Sequence, residues 1–336
     1  MYDLLYNFLA FIKGIVGNWG VALIIFTILI RAALTPLDMK SRVGMRKTQK
    51  LQPQLQALQK KYANDKEKLN AKTAELYKKE QVNPLSSCLP LLLTWPILII
   101  VFNAMRMAAN KEMLGQVAQI LSGAEPDLAG TGASFLWIKN LWMPDNVFST
   151  MYPIEATLKG ITDTNLWTND FFNKLDPSVI ESLGLTADSF AKDNLSGTIA
   201  AIVEAMKAAS PFYAEGIENS SFHLNVLFAD WYVPVKYNGL LLLPIFSALS
   251  QIIMTKITTG KQPQQPAANG QPNTGKFLQY FFPIFSLWIC LSATASFVLY
   301  WVAGNLVSMA QTVIINKILD KREAMAAPVA GEGSVK

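Results

Sequence analysis

Long apolar runs alternate along the chain with polar and charged stretches. A helix rises about 1.5 Å per residue and a bilayer core is about 30 Å thick, so about 20 mostly apolar residues can cross a membrane. Five runs meet this requirement. The pattern therefore predicts an all-α polytopic membrane protein with a core of five transmembrane helices. The predicted spans are residues 18–37, 85–108, 239–258, 277–293 and 295–316.

The composition agrees with a membrane protein, and the distribution of charged residues along the chain predicts its orientation in the membrane. Hydrophobic residues make up 51% of the chain and charged residues 16%. Residues 38–80 hold twelve Lys and Arg against five acids, whereas residues 110–238 hold seven Lys against fifteen acids. Because basic residues are retained in the cytoplasm, the N-terminus is predicted outside and the C-terminal tail, residues 317–336, inside. The net charge of +5 is thus attributed to membrane-adjacent loops rather than to nucleic-acid binding.

The first seventeen residues are predicted to form an amphipathic helix on the outer leaflet. Apolar residues, among them Phe8, Ile12 and Ile15, recur there at helical spacing. Residues 1–17 have no basic region ahead of an apolar stretch, so no signal peptide is expected.

Residues 38–83 are rich in Lys, Gln, Glu and Leu and are predicted to form a cytoplasmic helical hairpin. The segment Ala63 to Asp65 favours a turn between two apolar stripes that begin at Leu51 and Leu69. The hairpin is either a docking arm for substrates and partner proteins or a solvated linker. Both interpretations stay open.

Two further polar regions lie outside the spans. The cytoplasmic loop 259–276 is rich in Gln, Pro, Asn and Gly, which is typical of a flexible linker. The exterior region 109–238 contains an acidic insertion at about residues 150–236, expected to be mostly helical. Its helical pieces are Pro177 to Leu183 and Leu195 to Ala209.

Arg31 lies inside the first apolar run, where an unpaired charge would be expensive. Thr27 and Thr35 are four residues away on either side, so all three share one helix face. An intramembrane arginine is a functional hypothesis by default. The alternative is an anchoring role, since the side chain could reach the headgroups beyond Leu37, about 9 Å away along the helix.

Other polar or amphipathic side chains in the spans could face the same cavity. For threonine and serine the alternative is a hydrogen bond to their own helix backbone. For tryptophan it is ordinary core packing. Arg106 and Lys111, at the outer end of the second span, are expected to be anchors that reach the headgroups. The candidates for the cavity are Thr94, Ser247, Gln251, Tyr300, Trp301, Asn305 and Gln311.

Catalytic and metal chemistry have little support in the sequence. The five predicted spans contain no His, Asp or Glu, so an intramembrane acid–base pair is missing and an enzyme is not expected. The single histidine, His223, has no cysteine or carboxylate at ligand spacing. No cofactor or metal is predicted.

Several short strings occur in a fixed order along the chain and together cover most of it outside residues 150–236. They are Thr27-Ile-Leu-Ile-Arg-Ala-Ala-Leu-Thr-Pro-Leu37, Leu51-Gln-Pro-Gln-Leu55, Lys61-Tyr62, Asn83-Pro-Leu-Ser-Ser-Cys-Leu-Pro90, Trp95-Pro-Ile97, Phe135-Leu-Trp-Ile-Lys-Asn-Leu-Trp142, Pro144-Asp145, Leu243-Pro244, Leu299-Tyr-Trp301 and Gly304-Asn305. Each string is weak alone, but in this order they resemble the YidC/Oxa family of membrane protein insertases.

The resemblance implies a five-helix core around a hydrophilic groove that opens to the cytoplasm and to lipid. Arg31 would attract acidic residues in the exterior tail of a nascent membrane protein, in a bacterial plasma membrane. The ribosome, the signal recognition machinery and the general translocon are candidate partners besides the bilayer. Two departures stand out: many relatives have glutamine where this chain has Thr94, and core relatives need only a short connection in place of the insertion.

Two other functions stay open at this point. A secondary transporter could use Arg31 to bind an anionic solute, although the internal repeats common in transporters are not evident. An assembly scaffold without insertion activity could have much the same sequence.

Overall fold

The computed structural model describes residues 2–82, 89–216, 221–226, 229–234, 236–259 and 274–326. Within these ranges the regular structure is helical apart from one two-stranded antiparallel sheet. The α-helices are α1 (Tyr2–Val16), α2 (Trp19–Lys50), α3 (Gln52–Lys61), α4 (Lys66–Lys79), α5 (Leu89–Leu121), α6 (Glu155–Lys159), α7 (Pro177–Leu183), α8 (Leu195–Ala209), α9 (Pro211–Ala214), α10 (Leu242–Thr259), α11 (Thr274–Ser292) and α12 (Ala295–Ala326), and the strands are β1 (Ser221–Val226) and β2 (Ala229–Pro234).

Two described helices are long and apolar enough to cross a membrane, over Trp19–Thr48 and Ala295–Met325. Shorter apolar helices lie at Leu242–Ile257 and Tyr280–Ser292. Core helices of soluble proteins can have the same length and composition.

The helices run further than the apolar runs that predicted them. The first span was expected to end at Leu37, yet α2 continues to Lys50. Residues 38–50 are therefore a continuation of this helix rather than part of the hairpin, because Lys, Arg, Met and Gln extend a helix readily. In the same way α5 continues past residue 108 to Leu121, and α12 continues past residue 316 to Ala326.

The chain divides into two compact units. Unit 1 contains Met1–Phe26, Ile100–Ser247 and Leu287–Trp301, and unit 2 contains Thr27–Ile99, Ala248–Ser286 and Val302–Lys336. In unit 2, α3 and α4 form the helical pair. Leu51, Leu55 and Val82 are buried together there, with Leu76 and Tyr77 packed against them.

The insertion in unit 1 has an aromatic core of its own. The rings of Phe171 and Phe190 lie 5.3 and 5.9 Å from the ring of Trp167, and all three side chains are buried. Helices α7 and α8 have the bounds that the sequence predicted.

The expectation of a mostly helical insertion missed the hairpin of β1 and β2. The two strands pair antiparallel, with Phe222 opposite Val233 and Val226 opposite Ala229. The sequence carried a signal for this, because Ser221 to Val226 alternates polar and apolar residues with the period of a strand.

Arg106 and Lys111, in the C-terminal half of α5, contact other parts of the protein, which corrects the expectation that they are anchors reaching the headgroups. Arg106 Nη2 donates a hydrogen bond to the carbonyl oxygen of Gly160 at 2.8 Å. Lys111 Nζ lies 3.5 Å from a carboxylate oxygen of Asp170 and 4.8 Å from the ring centre of Tyr6. Both cations therefore attach the insertion or α1 to α5.

A buried polar cluster holds the loops of unit 1. Asn238 Nδ2 donates to the carbonyl oxygens of Asn140, Met143 and Pro144 at 2.9 to 3.1 Å. Asn140 Nδ2 in turn donates to Gln116 Oε1 at 2.9 Å. Because these groups are buried, the hydrogen bonds fix the loop conformation that precedes α10.

Candidate functional site

Arg31 in α2 is half-buried and lies against α12 at a glycine. A Cβ atom placed on Gly304 would lie 3.4 Å from Arg31 Nη2 and 3.7 Å from its Nε. The same point is 3.8 Å from Cγ2 of Thr27, which is fully buried one turn earlier. The glycine thus leaves the space that the guanidinium group occupies.

The backbone of Arg31 is held by Gln311 of α12. Gln311 Nε2 donates to the Arg31 carbonyl oxygen at 2.9 Å and to Thr35 Oγ1 at 2.7 Å. Thr35 Oγ1 donates to the same carbonyl oxygen at 3.0 Å. Gln311 therefore acts on the main chain of Arg31 and leaves its guanidinium group free for other contacts.

The charge of Arg31 has no counter-charge in the described part of the chain. The ion pairs found there involve other cations. A guanidinium group in an apolar segment is costly unless water or a ligand solvates it. This arrangement suits an anion that binds and then leaves, because a resident carboxylate would compete with it.

A second polar contact lies one residue beyond Gly304. Asn305 Nδ2 donates to Ser250 Oγ at 2.9 Å, and makes a longer contact of 3.4 Å with Gln251 Oε1. Asn305 thus connects α12 to α10. Six of the predicted site residues belong to unit 2 and take part in these contacts: Thr27, Arg31, Thr35, Gln251, Asn305 and Gln311.

The remaining predicted site residues are placed differently. Ser247, Tyr300 and Trp301 belong to unit 1. Ser247 Oγ lies 3.2 Å from Cys290 Sγ, and the ring of Trp301 lies 6.0 Å from the ring of Phe297. The indole nitrogen of Trp301 is buried and has no acceptor among the described residues. Thr94 belongs to α5, but its side chain lies outside the described residues.

Sequence reasoning missed Gly304 and Ser250 as site residues. Gly304 had already appeared in a family string, and a glycine inside a long apolar helix indicates a close approach. Ser250 carried no such signal, because its contact with Asn305 depends on the pairing of two helices far apart in sequence.

The described residues contain no group of three or more His, Cys, Asp or Glu side chains that could hold a metal ion. The side chains of unit 2 around Arg31 offer hydrogen bonding and attraction of negative charge. Arg31 supplies the charge, and its neighbours supply hydroxyl and amide groups.

Comparison with known proteins identifies relatives over most of the chain. The sequence model of the family described as 60Kd inner membrane protein matches residues 11–183 and 195–322. The chain is 48% identical over 110 residues to a protein named membrane protein insertase YidC from Fusobacterium nucleatum, covering 32% of this chain and 54% of that protein. A protein of the same name from Clostridium tetani is 37% identical over 155 residues, covering 45% of this chain and 62% of that protein.

A longer match links the chain to the protein of that name from Treponema denticola, with 26% identity over 309 residues, 91% of this chain and 36% of that protein. The chain thus spans between about a third and about two thirds of the length of these relatives. Since the family model covers almost the whole chain, including the segments that carry Arg31, Gly304 and Gln311, the protein belongs to the 60Kd inner membrane protein family.

Proposed function

We propose that the protein is a membrane protein insertase that binds the acidic exterior tail of a nascent membrane protein at Arg31. The observation that carries this proposal is a half-buried arginine in an apolar helix, with no carboxylate partner among the described residues. The family match and the names of the relatives support the same activity. No covalent chemistry is needed.

The proposal places the chain in the bacterial plasma membrane with five spans, the N-terminus outside and the C-terminus in the cytoplasm. The excess of Lys and Arg in residues 38–80 and of acids in residues 110–238 supports this orientation. Helix α1 would lie on the outer leaflet, since Leu4, Phe11 and Ile15 are well exposed on it. Helices α3 and α4 would then form a cytoplasmic arm.

In this mechanism Arg31 lowers the cost of moving a carboxylate into the membrane. Its guanidinium group stays charged and can donate two parallel hydrogen bonds to one carboxylate. Thr35, Gln251 and Asn305 add polar groups beside the groove. The membrane potential then favours release of a negative tail to the exterior by about 2.3 kcal/mol per charge per 100 mV.

The proposed substrates are nascent membrane proteins. The ribosome, the signal recognition machinery and the general translocon are proposed partners at the basic cytoplasmic surface, where helices α3 and α4 carry seven Lys.

The test is insertion of a single-span protein with a short acidic exterior tail into liposomes that contain the purified chain. Protease protection of the tail measures insertion. Empty liposomes are the first control, and a substrate whose tail acids are replaced by Asn and Gln is the second. Insertion that depends on both the chain and the tail acids supports the proposal. Equal insertion with and without the chain would favour a scaffold or a transporter instead.

Gly304 offers a steric test of the site. Gly304→Ala should leave insertion nearly unchanged, because the added Cβ would be in ordinary contact with Arg31 at 3.4 Å. Gly304→Leu should reduce insertion about tenfold, since its outer carbons would displace the guanidinium group. Gly115→Leu is the control, because a Cβ at that helical glycine meets nothing within 4 Å. Equal activity of the alanine and leucine variants at position 304 would contradict the packing described.

A further inference from the structure

A second arginine on α2, Arg42, also forms no ion pair in the described part of the chain. Arg42 follows Arg31 by eleven residues, about three turns or about 16 Å along the helix. It is half-buried, and its Nη2 donates to Thr312 Oγ1 at 2.6 Å. Thr312 in turn donates to the carbonyl oxygen of Ser308 at 2.6 Å, so a neutral hydroxyl group is the partner of this cation.

One donor of the Arg42 guanidinium group, Nε, lacks an acceptor among the described residues. The Nε atom is buried, and the adjacent Ser41 Oγ is likewise buried without a hydrogen-bond partner in this part of the chain. A buried donor without an acceptor is destabilising, so a bound carboxylate or water is favoured at this position.

Arg46, one turn further, shows what a fully paired arginine looks like in the same helix. Its Nη1 lies 2.8 Å from Asp320 Oδ1 and 3.6 Å from Glu323 Oε1. Its Nη2 also donates to the carbonyl oxygen of Asn316 at 3.1 Å. Arg46 is thus neutralised by α12. Arg42 interacts electrostatically with Asp38, one turn earlier, but forms no ion pair in the described part of the chain.

We propose that Arg42 is a second binding site for substrate carboxylates, which holds the acidic tail on the cytoplasmic side before the tail reaches Arg31. This inference rests on the proposed insertase function. A carboxylate would accept hydrogen bonds from Nε and from a neighbouring Nη atom, as it does in bidentate arginine pairs. With binding sites at both Arg42 and Arg31 on α2, a tail carboxylate would travel a shorter distance without a positively charged partner.

The test combines crosslinking with insertion in the liposome assay. A photoreactive residue beside the tail acids reports contact with residues 38–48, and protease protection reports insertion. With the acidic-tailed substrate, Arg42→Gln should reduce both the crosslink yield and the initial rate of insertion about fivefold. With the substrate whose tail acids are replaced by Asn and Gln, it should change neither quantity. Arg42→Lys should retain at least about half of each, because the charge remains.

Two variants separate a binding site from other effects. Lys40→Gln removes the same charge from an exposed position on the opposite side of the helix, and it should have little effect. Thr312→Val removes the hydrogen bond of Arg42 without changing the charge, and the dependence on tail acids should persist.

If Lys40→Gln reduced crosslinking and insertion as much as Arg42→Gln does, the effect would be general electrostatics and the inference would be overturned. If Thr312→Val reduced them as much as Arg42→Gln does, Arg42 would have a structural role, and the inference would be overturned as well. If the effect of Arg42→Gln disappears in liposomes without anionic lipid, the ligand is a lipid phosphate rather than a tail carboxylate. Arg31→Ala, measured in parallel, tests the insertase function: if insertion depends on Arg31 but not on Arg42, only the inference about Arg42 fails.

Discussion

Insertion of an acidic-tailed substrate is expected to fall about 10-fold to 100-fold in Arg31→Ala and further in Arg31→Glu. A hydrogen bond to a charged group contributes about 1.5–3 kcal/mol, and every 1.4 kcal/mol is a factor of about ten. Glutamate should be worse than alanine, because it repels the tail carboxylates. The measurement is the protease-protected fraction of substrate in liposomes containing each variant.

Arg31→Lys is the conservative control and should retain much more activity than either replacement, since it keeps the positive charge. A substrate with Lys in place of the tail acids provides a reciprocal test, because Arg31→Glu should insert this substrate better than the unchanged protein does. If the lysine, alanine and glutamate variants behave alike with the acidic tail, attraction of the tail by Arg31 is wrong.

Replacing Asp145 with alanine is expected to lower the free energy of unfolding by about 3–5 kcal/mol, because three donors lose their buried acceptor. The carboxylate is completely buried at the start of α10. Its Oδ1 accepts from the backbone nitrogen of Leu240 at 2.8 Å, and its Oδ2 accepts from that of Leu243 at 2.7 Å and from Trp137 Nε1 at 3.1 Å. Alanine would leave three donors without a partner.

Thermal melting of the purified protein measures this loss, and hydrogen exchange at the amides of Leu240 and Leu243 locates it. Asp145→Asn should be intermediate, because an amide keeps one acceptor oxygen but turns its NH₂ group toward another donor. Asp127→Ala is the matched control. Asp127 is exposed, and its Oδ1 accepts a hydrogen bond from the backbone nitrogen of Gly130 at 2.7 Å. This replacement should therefore lower the free energy of unfolding by about 1 kcal/mol or less. Equal melting temperatures for the two alanine variants would contradict this role of Asp145.

The sequence was sufficient to predict the positions of most long helices and to single out Arg31 as a charge within an apolar run. Apolar length predicted where helices α2, α10, α11 and α12 occur, because a helix satisfies its backbone hydrogen bonds locally. Local composition also gave the bounds of α7 and α8. The position of Arg31 within an apolar run needed no structure at all.

Helix ends and the strand pair were harder to predict. The extension of α2 to Lys50 was missed because the apolar pattern stops at Leu37, while helix propensity continues through the charged residues that follow. The hairpin of β1 and β2 depends on pairing between two short segments, and each segment alone has only a weak preference for a strand.

The contacts of the candidate site depend on pairs of residues far apart in the chain. Gln311 was predicted as a polar group of the cavity, but only the structure shows that it binds the carbonyl oxygen of Arg31, 280 residues away. Gly304 became a site residue for the same reason, since its importance lies in the space it leaves beside Arg31.

Arg42 and Arg46 show most clearly what the sequence by itself determined and what it did not. The sequence places two arginines of the same charge four residues apart on one helix face. Only the tertiary structure decides that Asp320 and Glu323 neutralise Arg46, whereas Arg42 meets the hydroxyl group of Thr312. The physical reason is that the periodicity of a helix sets the direction of each side chain, while the packing of a distant helix sets what that side chain meets.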